Sequence, residues 1–165
     1  MAAEARVDAV EIDPVGPFDI GRLARLHRTC FDEAWSRSDL AHLLSLPGGF
    51  GLLARSAGFR GLGLDTRRPL GFSLCRVTRD ECELLSIGVD PEARRRGLGT
   101  WLVRESMLRC RSGGAARMFL EVAVDNLSAQ ALYSTEGFVA VGRREAYYRR
   151  VDGERVAALT MRIEL

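Results

Sequence analysis

Residues 84–100, with the sequence LLSIGVDPEARRRGLGT, decide the fold of this chain. The apolar run up to Val89 predicts a strand, Asp90 and Pro91 predict a turn, and the arginines and glycines that follow predict the start of a helix. The first N–H groups of a helix have no partner within it, and the helix dipole places partial positive charge there. This pattern indicates a site for a phosphate-bearing ligand, formed by Arg94, Arg95, Arg96, Gly97, Leu98, Gly99 and Thr100.

Two known classes of phosphate site do not match this spacing. A P-loop needs a lysine after its second glycine, and the chain contains no lysine. A dinucleotide-binding loop needs a third glycine, where this chain has Leu102. What remains is an arginine or glutamine followed by two spaced glycines, which Arg94, Gly97 and Gly99 provide. The alternative is an arginine-rich loop before an ordinary helix.

A second segment supports the site. Residues 118–124, MFLEVAV, predict a buried strand that carries one carboxylate, Glu121. A charged group is costly to bury, so this glutamate lies on an open face, is paired, or serves chemistry. Asn126 and its neighbours then predict the start of an alanine-rich helix, which Gly137 ends.

The order and spacing of these motifs resemble the GCN5-related N-acetyltransferase (GNAT) superfamily, and within it the RimI-like enzymes that acetylate protein N-termini. The resemblance is strong from Cys82 to Tyr148 and looser before it, through Phe31 and Trp35. It implies an α/β fold with a mixed central β-sheet of about six to seven strands flanked by four helices. It also implies one N-acetyltransferase domain over residues 1–165. The motifs are IGVDP at 87–91, RRGLG at 95–99, LEV at 120–122 with Asn126, ALY at 131–133, GF at 137–138 and YY at 147–148.

Hydrophobic periodicity predicts the other elements. Ser36 or Ser38 is expected to cap the second helix, and residues 56–68 are expected to form a long polar loop. Strands are expected at 7–12, 50–55, 70–77, 82–89, around Glu121, near 138–143 and near 157–163. Helices are expected at 20–31, up to about Leu46, from Gly97 to about Arg111, and up to about Glu136.

Composition excludes several classes of protein. With 165 residues, 47% of them hydrophobic, the chain is expected to form one globular domain. Its formal charge of +2 argues against a dedicated nucleic-acid binder. The four cysteines form no C-x-x-C pair, so we expect four reduced thiols and no metal. We see no signal peptide and no membrane span, and we expect a cytoplasmic protein.

The resemblance implies acetyl-coenzyme A as cosubstrate and a primary amine as acceptor. The pyrophosphate is then expected at the start of the helix after Gly97. The amides of the pantetheine arm are expected to pair with the strand edge at Ile87, Gly88 and Val89, and Asn126 is expected to assist. The alternatives are core packing for Ile87 and Val89 and a helix cap for Asn126.

Two residues are candidates for the proton transfers. Glu121 is expected to act as general base, through a water, and Tyr133 as general acid toward the departing thiolate. The alternative for Glu121 is a structural ion pair with an arginine. The alternative for Tyr133 is a core tyrosine whose hydroxyl is hydrogen-bonded.

Acceptor binding is expected to use Trp35, Tyr147 and Tyr148 as an aromatic wall, the alternative being surface or core aromatics. The sequence departs from the RimI-like pattern at Ala123, at Asp125 and in the loop 56–68. By resemblance, the acceptor is the N-terminal alanine of a small-subunit ribosomal protein. The alternatives are a lysine side chain, a small-molecule amine, or a non-catalytic acetyl-coenzyme A sensor. No nucleic-acid or membrane partner is expected, and the enzyme is expected to be a monomer or a weak dimer.

Overall fold

The computed structural model describes residues 10–165, which form a seven-stranded mixed sheet and four α-helices. This confirms the predicted fold class. The order across the sheet is β1-β2-β5-β6-β7-β9-β8, and β3 and β4 form a separate hairpin. The first strand is Glu11–Pro14, so only the end of the predicted strand 7–12 lies within the described residues. The other strands are β2 (Gly49–Arg55), β3 (Arg60–Gly61), β4 (Leu64–Asp65), β5 (Pro69–Thr78), β6 (Glu81–Val89), β7 (Arg117–Ala123), β8 (Val139–Arg149) and β9 (Arg155–Glu164).

The helices cover both faces of the sheet. They are α1 (Ile20–Cys30), α2 (Arg37–Ser45), α3 (Leu98–Ser112) and α4 (Leu127–Thr135). Side chains of successive residues in a strand point to opposite faces, and β2 shows which helix covers which. Leu53 packs in a cluster with Leu23 and Leu40 of α1 and α2, whereas Leu52 packs with Leu102 of α3.

Local sequence signals set the helix ends as predicted. Ser36 is the N-cap of α2: its hydroxyl accepts a hydrogen bond from the Asp39 N–H, and the Asp39 carboxylate accepts one from the Ser36 N–H. Together these bonds form a capping box. Asn126 is the N-cap of α4, where its side-chain oxygen accepts a single hydrogen bond from the Ala129 N–H.

Strands β6 and β7 run parallel but pair over only part of their length. The ladder joins Glu81–Leu84 to Arg117–Leu120 and ends there. Beyond it, β6 continues to pair with β5 as far as Val89, and β7 continues to pair with β9 as far as Ala123. The two strands therefore separate in the middle of the sheet, and the last residues of β6 have an open edge toward β7.

Strand β8 is longer than predicted, because it continues past Arg143 to Arg149. Its pairing with β9 is irregular between Arg144 and Tyr148, where Ala146 has a positive φ of 52°. Such a bulge changes the direction of the side chains that follow it. Tyr147 and Tyr148 thus belong to a bulged strand rather than to a loop.

The segment 56–68 is more structured than the predicted loop, since it contains the β3–β4 hairpin. Buried arginines at its two ends hold it in place. Arg55 pairs with Asp13 and Asp19, and Arg67 pairs with Asp13 and Asp65. Burying a guanidinium is tolerated only where carboxylates surround it, and these partners come from β1, α1's preceding turn and the hairpin.

The expectation of four reduced thiols is wrong for two of them. Cys82 on β6 and Cys110 on α3, which are 28 positions apart in sequence, form a disulfide. The packing of α3 on the sheet brings them together, which spacing along the chain does not show. Cys75 is free and buried, and burial raises the pKa of its thiol to about 12. Its sulfur lies within 4.8 Å of the other two, and the expected absence of a metal stays a prediction.

Within residues 10–165, no helix has both the length and the apolar character needed to cross a membrane.

Candidate active site

The turn between β6 and α3 offers several N–H groups to an anion. Asp90 caps a short 3-10 turn, Pro91–Ala93, through the Glu92 N–H. Arg95 and Gly97 then adopt left-handed backbone conformations, with φ of 63° and 79°. Helix α3 begins directly after Gly97, so its first-turn N–H groups have no helical partner. Exposed guanidinium groups of Arg95 and Arg96 flank this turn, which fits the predicted phosphate site.

Other predicted phosphate residues have structural contacts. Arg94 donates a hydrogen bond from Nε to the Val89 carbonyl at 3.0 Å, which ties the loop to the end of β6. Leu98 is buried in the core. A Cβ at Gly99 would lie 3.3 Å from Leu132, so this glycine allows α3 to approach α4 closely. Thr100 is half-buried in the first turn of α3.

The open edge of β6 contains the predicted pantetheine residues. Ile87, Gly88 and Val89 pair with β5 on one side and have no partner from β7 on the other. Gly88 has a packing role that its sequence position did not reveal. A Cβ there would lie 2.7 Å from a Phe72 ring carbon and 2.9 Å from the Cys30 sulfur. Glycine at this position therefore makes room for side chains of the protein itself.

Glu121 lies on β7, one residue after the β6–β7 ladder ends. Its side chain is 15% exposed, and one carboxylate oxygen accepts a hydrogen bond from Nη1 of Arg144 at 2.8 Å. The ion pair considered as an alternative for Glu121 is therefore present in the structure. Because the arginine side chain is 58% exposed, an incoming cation can compete with it for the carboxylate.

Two tyrosines contact Glu121. The hydroxyl of Tyr148 donates to the Glu121 carbonyl at 3.1 Å. A hydrogen bond to the Glu121 carboxylate, followed by burial, raises the pKa of Tyr147. The two tyrosine rings are 4.9 Å apart at 81°, and the Arg144 guanidinium lies 4.3 Å above the Tyr147 ring. Tyr147 therefore approaches the Glu121 carboxylate, and Tyr148 approaches the Glu121 backbone carbonyl.

Tyr133 is buried on α4, with its ring packed edge-on against Phe138 at 5.8 Å. Burial raises the pKa of its phenol, and the nearby Tyr148 contributes to the rise. The phenol of Tyr133 therefore stays protonated at neutral pH and can act only as a proton donor. Tyr148 donates to the Glu121 carbonyl and lies close enough to Tyr133 to contribute to the rise of its pKa.

Trp35 contacts α1 rather than the tyrosines of β8. Its ring stacks on His27 at 5.3 Å, and its backbone N–H donates to Nδ1 of His27. His27 also approaches the Ser86 hydroxyl of β6 at 3.4 Å. Trp35 thus packs on His27 of α1, while Tyr147 and Tyr148 approach Glu121 from β8. The sequence signal for this aromatic cluster was His27, which falls among the apolar positions of α1.

Asn126 caps α4 through its side-chain oxygen, as its alternative interpretation proposed. Its side chain remains exposed, so its amide N–H₂ is available to a ligand. Sequence reasoning missed Gln130, whose amide donates to the carbonyls of Ala123 and Val124 at 2.9 Å each. These bonds fix the end of β7 against α4. The sequence signal for these bonds was a glutamine in the first turn of the helix that follows β7.

The model of the Acetyltransferase (GNAT) family matches residues 20–138, which is most of the chain. The chain belongs to the acetyltransferase (GNAT) family. Its relatives include the N-alpha-acetyltransferase RimI of Mycobacterium tuberculosis, 37% identical over 96% of this chain and 94% of the relative. The predictions of this family and of an N-acetyltransferase enzyme are confirmed.

Solved structures of GNAT proteins have the same fold. The ribosomal-protein-S18-alanine N-acetyltransferase of Escherichia coli is 26% identical, with a TM-score of 0.80 over 94% of each chain. Arabidopsis thaliana NAA60, solved in complex with acetyl-CoA, is 18% identical with a TM-score of 0.81, covering 95% of this chain and 99% of that one. At this identity the second similarity concerns the fold alone.

In this GNAT chain, the structure brings Glu121, Tyr133, Tyr147 and Tyr148 together beside the open edge of β6. The anion cradle lies at the far end of the same edge, where α3 begins. The roles assigned to these residues, and to Trp35, stay predictions.

Proposed function

We propose that this GNAT enzyme acetylates the α-amino group of a protein N-terminus, with acetyl-coenzyme A as donor. We further propose that its acceptor is the N-terminal alanine of a small-subunit ribosomal protein. The observation that carries the proposal is the group formed by Glu121, Tyr133, Tyr147 and Tyr148 where β6 and β7 separate. The relatives support the acceptor class, since they are named for N-alpha and S18-alanine acetylation.

The loop and strand that precede this group suit a coenzyme A molecule. Its pyrophosphate is the kind of anion that the N–H groups after Gly97 and the exposed Arg95 and Arg96 attract. Its pantetheine amides are matched by the unpaired edge of β6 from Ile87 to Val89. A backbone N–H on this edge is also suited to stabilise the oxyanion formed during acyl transfer.

The reaction exchanges one bond for another. The neutral amine attacks the thioester carbonyl, so that a C–N bond forms and the C–S bond breaks. Glu121 takes a proton from the nitrogen, through a water, and Tyr133 donates one to the departing thiolate. The raised pKa of Tyr133 keeps that proton in place at neutral pH.

An α-amino group suits this site better than a lysine side chain. Its pKa is near ~8, against ~10.4 for lysine, so a larger fraction is neutral at physiological pH. The Glu121 carboxylate, now paired with Arg144, offers a place for the positive charge of the incoming amine. Tyr147, Tyr148 and Trp35 are proposed to line the path of the acceptor's first residues.

Acetyl-coenzyme A consumption with two alanine-starting peptides tests the proposal. One peptide has a free N-terminus and no lysine, and the other has a blocked N-terminus and one internal lysine. We expect thiol release with the first peptide alone. Release with the second alone would assign the enzyme to lysine acetylation. Tight cofactor binding without release from either peptide would contradict protein acetylation.

Three further statements belong to the same proposal. Residues 1–165 form one acetyltransferase domain, which acts in the cytoplasm. The enzyme acts as a monomer or a weak dimer. It binds its substrate through the acceptor's N-terminus, without direct contacts to nucleic acid or membrane.

A further inference from the structure

A disulfide joins the two elements that form the anion cradle, at the end opposite the cradle itself. Helix α3 connects the parallel strands β6 and β7 and so runs back over the sheet against their direction. Its start follows the end of β6, where the cradle lies. Cys110 belongs to the last turn of α3 and is bonded to Cys82, the second residue of β6. A helix rises about 1.5 Å per residue, so the disulfide lies roughly 20 Å along α3 from Gly97.

Reagents in solution cannot reach this disulfide while α3 is packed on the sheet. Cys82 is 1% exposed and Cys110 is completely buried, in an apolar cluster that also contains Val103 and Met118. A thiol or a small disulfide therefore reaches the two sulfurs only in an open form of the protein, in which α3 has separated from the strands.

The last turn of α3 is held too firmly to open alone. The N–H groups of Gly113, Gly114 and Ala115 all donate to carbonyls of this turn, at distances between 2.9 and 3.1 Å. Unwinding the turn breaks these bonds together, whereas lifting the helix as a unit keeps them. Lifting the helix breaks the buried hydrogen bond of 2.8 Å between Ser73 and Ser106. It also removes the first-turn N–H groups from the cradle, so exposure of the disulfide and loss of the cradle are one event.

A third cysteine in the cluster does not compete for the pair. The sulfur of Cys75 lies within 4.8 Å of those of Cys82 and Cys110. Burial raises the pKa of its thiol to about 12, so it stays protonated at neutral pH. Because the thiolate is the form that attacks a disulfide, Cys75 leaves the neighbouring bond intact.

We propose that Cys82 and Cys110 form a redox site that exchanges two electrons with a small thiol–disulfide couple, and that acetyl-coenzyme A bound at the start of α3 blocks this exchange. On oxidation, the two thiols give up two protons and two electrons as the S–S bond forms. A small disulfide takes up both and leaves as two thiols, and reduction is the reverse reaction. Disulfides of cytoplasmic proteins are usually of this reversible kind. The block by acetyl-coenzyme A rests on the proposed function, whereas the redox exchange does not.

Disulfide mapping tests the redox exchange. The wild type is equilibrated with glutathione buffers from fully reduced to fully oxidised, then acid-quenched, alkylated, digested and analysed by mass spectrometry. We expect the Cys82–Cys110 disulfide to appear as the oxidised fraction rises, with Cys30 and Cys75 free throughout. The oxidised protein should melt about 5–10 °C above the reduced protein, because the bond joins residues 28 positions apart and restricts the unfolded chain.

Two variants check that this difference comes from the disulfide. Cys110→Ala should melt at the same temperature in oxidising and reducing buffer. Cys75→Ala is the matched control, since it removes a sulfur from the same buried cluster, and it should keep the full difference. Comparing each variant with itself in the two buffers cancels the packing that either substitution removes.

The rate of reduction tests the block by acetyl-coenzyme A. The oxidised wild type is treated with a water-soluble phosphine, which reduces disulfides and does not exchange with the thioester. A ligand that binds only the closed form lowers the population of the open form by one plus the ratio of its concentration to its Kd. At a concentration 100 times its Kd, acetyl-coenzyme A should therefore slow reduction about 100-fold. Gly97→Ala, whose affinity for acetyl-coenzyme A should be lower, should be protected less at the same concentration.

Three results would overturn the inference. The cysteine pair could stay wholly reduced or wholly oxidised across all glutathione buffers, Cys110→Ala could keep the melting difference, or reduction could be equally fast with and without acetyl-coenzyme A. Failure of the proposed function gives a different result, in which calorimetry shows no binding of acetyl-coenzyme A to either redox form. That result would overturn the block, and disulfide mapping would still decide whether the redox exchange occurs.

Discussion

Arg144 on β8 reaches across β9 to bind Glu121 on β7, with 2.8 Å between Nη1 and the carboxylate oxygen. The guanidinium also lies over the ring of Tyr147. The free enzyme thus holds a cation of its own at the carboxylate where the acceptor ammonium is proposed to bind. Arg144 is mostly exposed, and exposed pairs of this kind contribute little to stability.

Removing this competing cation should strengthen acceptor binding. We expect Arg144→Gln to lower the KM for the alanine-starting peptide by about two- to fivefold, the range expected for an exposed ion pair. The kcat should change by less than about twofold, since Arg144 takes no part in the proposed proton transfers. Steady-state kinetics at saturating acetyl-coenzyme A would measure both values.

Arg143→Gln is the control for Arg144→Gln. Its side chain pairs with Glu145 on the exposed part of the same strand, and its replacement should leave the peptide KM unchanged. A higher KM in Arg144→Gln would show instead that the arginine binds the acceptor directly.

Tyr133 should be needed for turnover and not for folding. In Tyr133→Phe the ring that packs on Phe138 is kept and only the hydroxyl is lost. We expect kcat to fall about 10²-fold, the effect of losing a general acid, with an unchanged melting temperature. Because the Tyr133 pKa is raised above its ordinary value of 10, its deprotonation should not reduce the wild-type rate below pH 10.

Ser134→Ala removes a hydroxyl from the exposed position next to Tyr133 on α4 and serves as the control. Its kcat should equal that of the wild type. Full activity in Tyr133→Phe would contradict the prediction. It would mean that water protonates the thiolate and that Tyr133 is a core residue that packs on Phe138.

Replacing Gly97 should weaken acetyl-coenzyme A binding as well as lower the stability of the fold. An alanine at φ 79° is strained by about 1 kcal/mol, although no atom lies within 4 Å of the added Cβ. The strain should distort the N–H groups proposed to hold the pyrophosphate. We expect Gly97→Ala to raise the Kd of acetyl-coenzyme A about tenfold, as measured by calorimetry.

Gly114 provides a matched control, since it has a φ of 93° and equally open space around its Cβ position. It follows α3 at the opposite end from Gly97. Gly114→Ala should lose about 1 kcal/mol of stability as well, with the Kd of acetyl-coenzyme A unchanged. Equal Kd values in the two variants would argue against a phosphate site at Gly97.

Features encoded by neighbouring residues could be predicted from the sequence. The capping box of Ser36 and Asp39, the helix after Gly97 and the strand around Glu121 all depend on residues a few positions apart. The order of motifs then indicated the family, and through it the seven-stranded sheet. Residues that share the site followed from the family pattern as well.

Contacts between distant segments could not be predicted in this way. The Glu121–Arg144 pair joins residues 23 apart, and the Cys82–Cys110 disulfide joins residues 28 apart. Each depends on how the sheet and α3 pack. Trp35 illustrates the same limit, because its stacking on His27 of α1 depends on how the chain after α1 folds back.

The buried arginines at the 56–68 segment predict a stability that decreases in acid. Hydrogen bonds from Arg67 hold the pKa of Asp65 far below its usual range, and Arg55 adds to the effect. A carboxyl whose pKa is lower in the folded state stabilises the protein fully above its unfolded pKa of about 3.9, and this stabilisation is lost as the pH falls toward the folded value. Asp65→Asn should therefore be less stable than the wild type at pH 7, with a difference that narrows from about pH 5 toward pH 3. Thermal unfolding across this range would measure it, with the exposed Asp32→Asn as the control. A difference that stays constant with pH would mean that Asp65 stabilises the hairpin by packing rather than by its charge.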